Sequence, residues 1–146
     1  MKTTEEKTMA LARRFIEDHW NKFHAAVIDE ICSDDFIHHD NKDDRSGEDQ
    51  KQRIPMLRSA FPDMNMQIVD IFAGGDRVTI RWTFKGTNKG PFQNLPPSGK
   101  EVNLSCISIF RFKDGKIAEM WSNWDMLDLV QQLGFTLVPP KKQGEV

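Results

Sequence analysis

The amino-acid sequence predicts an α+β domain, and three observations carry that prediction. Apolar residues recur at helical spacing in the N-terminal part of the chain, and two-fold alternation replaces that spacing after Met64. The dipeptide Asp114-Gly115 separates two alternating apolar runs, the signature of a two-residue hairpin. Helices followed by a meander of antiparallel strands give a sheet with helices on one side. At 146 residues the chain has the size of one domain, expected over 1–138, with a flexible tail at 139–146.

The first helix is expected over residues 4–21. Met9, Ala12, Phe15, Ile16 and Trp20 form its apolar stripe, and Thr3 with Glu6 fits a capping box. A short helix over Ala25–Cys32 follows, then an extended piece, Phe36-Ile37-His38-His39. Asp40 to Asp49 is polar and reads as an exposed loop. A third helix follows Ser46-Gly47 and runs to Ser59 or Ala60, either kinked or restarted at Pro55. Strands are expected over Met64–Ala73, Arg77–Gly86, Val102–Phe112 and Lys116–Trp124, with a Gly-, Pro- and Asn-rich loop at 87–100. A closing helix starts at Met126 and ends at Gly134.

Composition narrows the function classes. The net charge of −2 offers no positive field for nucleic acid or anionic lipid, and the lysines and arginines are scattered. Cys32 and Cys106, far apart and in apolar runs, read as buried free thiols. No secretory leader or membrane-length apolar run is visible, so the expected location is cytoplasmic. There are ten Phe and four Trp but no Tyr, so acid–base chemistry falls to His, Asp, Glu, Asn, Ser or water.

The hairpin sets an expected register. With Asp114 and Gly115 as the loop, Phe110 faces Glu119, Ser108 faces Trp121, and Cys106 faces Asn123. Asp125 then ends the same mostly apolar face. It has two readings: an acid walled by Trp121, Trp82 and Phe110, its pKa raised by desolvation, or the N-cap of the helix beginning at Met126. On the opposite face Ile107 and Ile109, joined by Met120 and Trp124, are too apolar for solvent. That outer face is expected to be covered by a second subunit, giving a homodimer or tetramer.

Seven segments in order resemble the SnoaL-like polyketide cyclases of the nuclear-transport-factor-2-like superfamily. They are the helix ending at Trp20-Asn21; Asp34 to Asp40; Ala60-Phe61-Pro62-Asp63; Gly75 to Val78 with Arg81-Trp82; Gly86 to Phe92 with Leu95 to Gly99; Ile109 to Phe112; and Glu119 through Trp121 to Asp125. The resemblance implies a cone in which N-terminal helices pack on a curved, mostly antiparallel sheet around an apolar pocket, without cofactor or metal. It also implies that Asp125 is the general acid/base. The substrate would be an apolar carbonyl-bearing small molecule, with aldol-type ring closure of a polyketide-like compound as the leading case. Non-catalytic binding of a hydrophobic ligand, or a dimeric interaction module, is the alternative.

His38 and His39 point to opposite sides of an extended segment, and the family pattern favours His39 as the acid's partner. The other reading makes them a surface pair. Three successive residues diverge too much for His38, His39 and Asp40 to form a metal site. Trp20, Trp82, Phe92, Ser108, Phe110, Glu119, Trp121 and Asn123 are the expected pocket contacts, although Glu119 also suits a paired structural role. Phe92 sits in the loop before Val102, which reads as a connection or as a lid. The family often carries His where this chain has Asn88.

Overall fold

The computed structural model describes residues 2–142 and 144. Part of the expected C-terminal tail, Gln143, Glu145 and Val146, lies outside the described residues. Helix α1 (Thr4–Arg14) continues into a π-helical stretch, Phe15–Asn21, and α2 covers Ala26–Ile31. Strands β1 (Cys32–Asp40) and β2 (Asp43–Ser46) precede α3 (Gly47–Ala60). Then come β3 (Asn65–Gly74), β4 (Arg77–Thr87), β5 (Glu101–Lys113), β6 (Lys116–Trp124) and α4 (Met126–Gln132).

Local chemistry accounts for the helix starts. The Glu6 N–H donates to Thr3 Oγ1 at 3.1 Å and the Thr3 N–H donates back to Glu6 Oε2 at 3.2 Å. Ser46 and Asp49 repeat that reciprocal cap at α3, and α3 runs through Pro55 as one helix. In the π-helical stretch the wider turn puts Phe15, Ile16, His19 and Trp20 together on the buried side.

The strands form a six-stranded sheet in the order β2-β1-β6-β5-β4-β3, curved and unclosed. Four of these strands match the sequence expectation. The other two, β1 and β2, fall where a short extended piece and a loop were expected. Asn41, at φ +53°, makes the tight turn that lets Asp40 pair with Asp43. Strand β1 then runs parallel to β6. One apolar cluster fills the concave side, from Ala12 and Phe15 through Phe36 and Ile80 to Leu133.

The β5–β6 register departs from expectation. Lys113 pairs with Lys116 and Phe112 with Ile117, but a bulge at Ala118 then puts Arg111 opposite Glu119. Beyond it Phe110 faces Met120, Ile109 faces Trp121, and Ser108 faces Ser122. One extra residue turns every later side chain over. Met120, Ser122 and Trp124 therefore point into the cone, while Glu119, Trp121 and Asn123 point out.

Candidate active site

The concave side encloses a cavity with about 590 Å³ of atom-free space, counting its open mouth. Its walls are mainly apolar, and Trp20, Trp82, Trp124 and Phe92 are among the residues that line it. Four other side chains bring polar chemistry to it: His38 and Asp40 from β1, Gln50 and Arg53 from α3. His38 and Asp40 are two apart on a strand and so share the inner face. Gln50, Arg53 and Leu57 recur at three- and four-residue spacing, which lays one face of α3 along the cavity.

Asp40 is the cavity's carboxylate, with a side chain only 9% exposed. The Trp124 indole N–H donates to its Oδ1 at 2.7 Å and the Arg45 Nε–H to its Oδ2 at 3.2 Å. Arg53 Nε lies 3.7 Å from the same Oδ2. Asn41 locks this corner by bonding the backbone of Trp124 through both ends of its amide, at 3.0 and 3.1 Å. A carboxylate has about four acceptor positions, so the two hydrogen bonds leave it free to meet a substrate proton.

Behind Asp40 runs a buried polar chain. Gln50 Nε2 hydrogen-bonds His38 Nδ1, His38 Nε2 meets Ser122 Oγ at 2.7 Å, and Ser122 meets Ser108 at 2.7 Å. The Trp82 indole N–H ends the chain on Ser108 Oγ at 2.9 Å. Burial pushes His38 down to about 4, so its ring is neutral near pH 7. With Gln50 donating to Nδ1, the ring proton sits on Nε2 and goes to Ser122. Cys106 also lines the cavity, and burial pushes its thiol up to about 12. Cys32 and Cys106 are both free and buried.

Of the residues expected to form the pocket, Trp20, Trp82 and Phe92 line the cavity. Ser108 lies one layer behind it, orienting Trp82, and Phe110 is fully buried against Phe15 at 5.6 Å. The remaining five lie elsewhere. Asp125 is exposed and caps α4, accepting the Asp128 N–H at 2.9 Å. His39 is on the outer face, where its ring nitrogens meet Asp44 at 2.8 Å and Glu119 at 2.7 Å. Glu119 also accepts from Arg111 at 3.1 Å, and Trp121 sits under the Arg77 guanidinium at 5.1 Å. Asn123 is exposed on that same face.

The bulge explains Glu119, Trp121 and Asn123, and strand alternation explains the exchange of His39 for His38. Asn88 is buried in the loop: its Oδ1 accepts the Ser98 N–H at 2.8 Å and its Nδ2 donates to the Gly90 carbonyl at 2.8 Å. It braces the loop and does not face the cavity. Among the described residues, no group of three His, Cys, Asp or Glu side chains is placed to hold a metal ion. Nor, among the described residues, is any helix long and apolar enough to cross a membrane.

Asp40, His38, Gln50, Arg53 and Trp124 are site residues that did not stand out from the sequence. The signal for the first two was the His-x-Asp spacing, which puts both on one strand face. For α3 the signal was the polar pair Gln50 and Arg53 on the face that carries Ile54 and Leu57.

A family model described as SnoaL-like polyketide cyclase matches residues 10–133. Among solved structures, AclR from Streptomyces galilaeus is 30% identical, with a TM-score of 0.75 over 88% of this chain and 96% of its own. TsrD from Streptomyces laurentii is 27% identical, with a TM-score of 0.78 over 88% of this chain and 95% of its own. An LEH-like epoxide hydrolase from M. tuberculosis shares the fold at 16% identity, with a TM-score of 0.70 over 90% of this chain and 92% of its own. A search of curated protein sequences finds no match.

Proposed function

Because the chain belongs to the SnoaL-like polyketide cyclase family, we propose that it is a cofactor-free cyclase or isomerase acting on an apolar, carbonyl-bearing small molecule. Asp40 is the general acid/base. The observation that carries this reading is a carboxylate held by Trp124 and Arg45 at the wall of a tryptophan-lined cavity.

In the reaction, Asp40 takes a proton from the carbon beside a substrate carbonyl, leaving an enolate. The enolate carbon attacks a second carbonyl carbon of the same molecule, and a carbon–carbon bond forms. The resulting alkoxide recovers the proton from Asp40, so the product is an isomer of the substrate. Gln50 spends one amide N–H on His38 and offers the other to the enolate oxygen. The aromatic walls hold the chain folded for closure.

Proton abstraction can be followed without the natural substrate. Deuterium uptake by 2-tetralone in D2O, read by NMR, is expected to be accelerated by the protein. Asp40→Asn should lower the accelerated rate by about 100-fold or more. If that variant exchanges at the wild-type rate, Asp40 is not the base; if the wild-type protein gives no acceleration, the cavity is a hydrophobic-ligand site without this chemistry.

The outer sheet face supports a second reading, of a homodimer. Phe72 and Ile107 are 61% and 49% exposed, and Ile109 and Trp121 lie beside them in register. Arg77, Arg81 and Arg111 rim this patch together with Asp70 and Glu119, so a two-fold axis can set cations against carboxylates. Sedimentation equilibrium should show a dimer that Ile107→Glu converts to a monomer; a monomeric wild-type protein excludes it.

A further inference from the structure

We propose that the cavity recognises an apolar molecule carrying a carboxylate, and that Arg53 is the residue that pairs with it. The inference rests on the cavity being the substrate site, as the proposed function has it, but not on Asp40 performing the chemistry.

Charge counting inside the cone leads to this assignment. Asp40 and Arg53 are the cavity's carboxylate and guanidinium, and His38 beside them is neutral. Asp40 is already served by Arg45, which donates to it directly and lies closer than Arg53, 3.2 Å against 3.7 Å. Arg45 has a second ion pair, with Asp43 at 3.5 Å, and that carboxylate is 70% exposed and well screened; Asp49 acts on Arg45 only at longer range. Two cations thus share one buried anion, and the surplus positive charge falls on Arg53.

Arg53 is also under-bonded. A guanidinium has five N–H donors in a planar fork, and Arg53 makes no hydrogen bond to any described residue. Its side chain is 16% exposed, and none of its nitrogens is a buried donor without a partner, so the donors that the protein leaves free open to solvent. Burial first, and then the charge on Arg45, push its pKa below the ordinary arginine value. An anionic ligand group there would replace solvent with charge-assisted hydrogen bonds. Arg53 lines the cavity, and a guanidinium fork matches a carboxylate, which accepts two parallel N–H bonds from it. The surrounding Trp20, Leu57 and Phe84 then take the apolar body of the ligand.

Isothermal titration of matched acids and amides tests this directly. The probes are 2-naphthoate against 2-naphthamide and octanoate against octanamide, which differ in charge while keeping their apolar parts. Wild-type protein is expected to bind at least one acid about tenfold or more tighter than its amide. Arg53→Gln should weaken that acid by about 10- to 100-fold and leave the amide within about threefold. Arg53→Lys should restore part of the preference, and Asp40→Asn, by removing the competing anion, should tighten acid binding.

Acids that bind no better than amides, or no acid binding at millimolar concentration, would overturn the assignment. So would an Arg53→Gln variant with wild-type circular dichroism and an unchanged acid-to-amide ratio. The tetralone exchange experiment fails independently. Acid preference without exchange keeps this site and removes the reaction, whereas exchange without acid preference keeps the reaction and removes this site.

Discussion

The two faces of β1 and β6 carry similar side chains in opposite circumstances. Inside, His38, Asp40, Ser122 and Trp124 are enclosed, His38 is neutral, and Asp40 meets the cavity. Outside, His39, Glu119, Trp121 and Asn123 face away from it, and His39 is clamped between Asp44 and Glu119. Each face presents a histidine, a carboxylate and a tryptophan, so residue types alone do not tell them apart. Enclosure does. The inner set sits at the wall of the cavity and leaves acceptor capacity unused, whereas the outer set spends its charges on one another.

The sharpest way to break this contrast is to shift β6 by one residue beyond the bulge. Deleting Ala118 itself would keep Arg111 opposite Glu119 and Phe110 opposite Met120, whereas inserting one alanine between Glu119 and Met120 should turn Trp121 and Asn123 inward and Met120 and Trp124 outward. Exposing that core costs several kcal/mol, comparable with the stability of an ordinary domain at about 5–15 kcal/mol. Thermal melting of the insertion variant should show no cooperative transition. A melting temperature within about 5 °C of wild type would mean that the register of β6 does not set the two faces.

The histidines should respond to pH with opposite signs. Burial lowers His38 from 6.5 to about 4, and burial lowers His19 to about 4 as well. Between these values the unfolded chain binds protons that the folded chain refuses, so stability falls as pH drops from 6.5 toward 4. Each group contributes up to about 3 kcal/mol of that loss. His39 is raised above 6.5, first by its hydrogen bond to Asp44 and then by that to Glu119. Its contribution is full below 6.5 and disappears as pH rises through its folded value. Urea unfolding across pH 4.5–8.5 should show His38→Gln flattening the acid limb and His39→Gln flattening the alkaline limb. Exchange of these two effects would contradict the assignment of faces.

The smallest effect is expected at Asp125. Asp125→Ala removes a helix cap and should cost about 1 kcal/mol in urea unfolding. Tetralone exchange should stay within about twofold of wild type. A large loss of exchange with intact stability would return the acid/base role to Asp125.

How far the sequence could be read depended on whether the determining forces were local. The Thr3–Glu6 cap, the Asp114–Gly115 turn and the alternation of Val78, Ile80, Trp82 and Phe84 are short-range signals, and the fold follows them. Strands β1 and β2 pair only because β1 lies along β6, some eighty residues later, as with His39 against Trp121. Their acidic composition hid them. The bulge was partly legible, since Ile117 and Met120 are three apart and cannot share a face without an extra residue between them. An unbroken alternation carried through that point misplaced Glu119, Trp121 and Asn123. Placing His38 and Asp40 in the cavity required knowing which side of β1 the helices cover.

The four tryptophans provide the most direct test, because three line the cavity and one lies outside it. In 15N-labelled protein each indole N–H gives its own NMR signal. Titration with 2-naphthoate should shift the Trp20, Trp82 and Trp124 indoles and leave Trp121 in place. A titration that moves Trp121 while Trp82 and Trp124 stay still would put the binding site on the opposite face of the sheet and contradict the account.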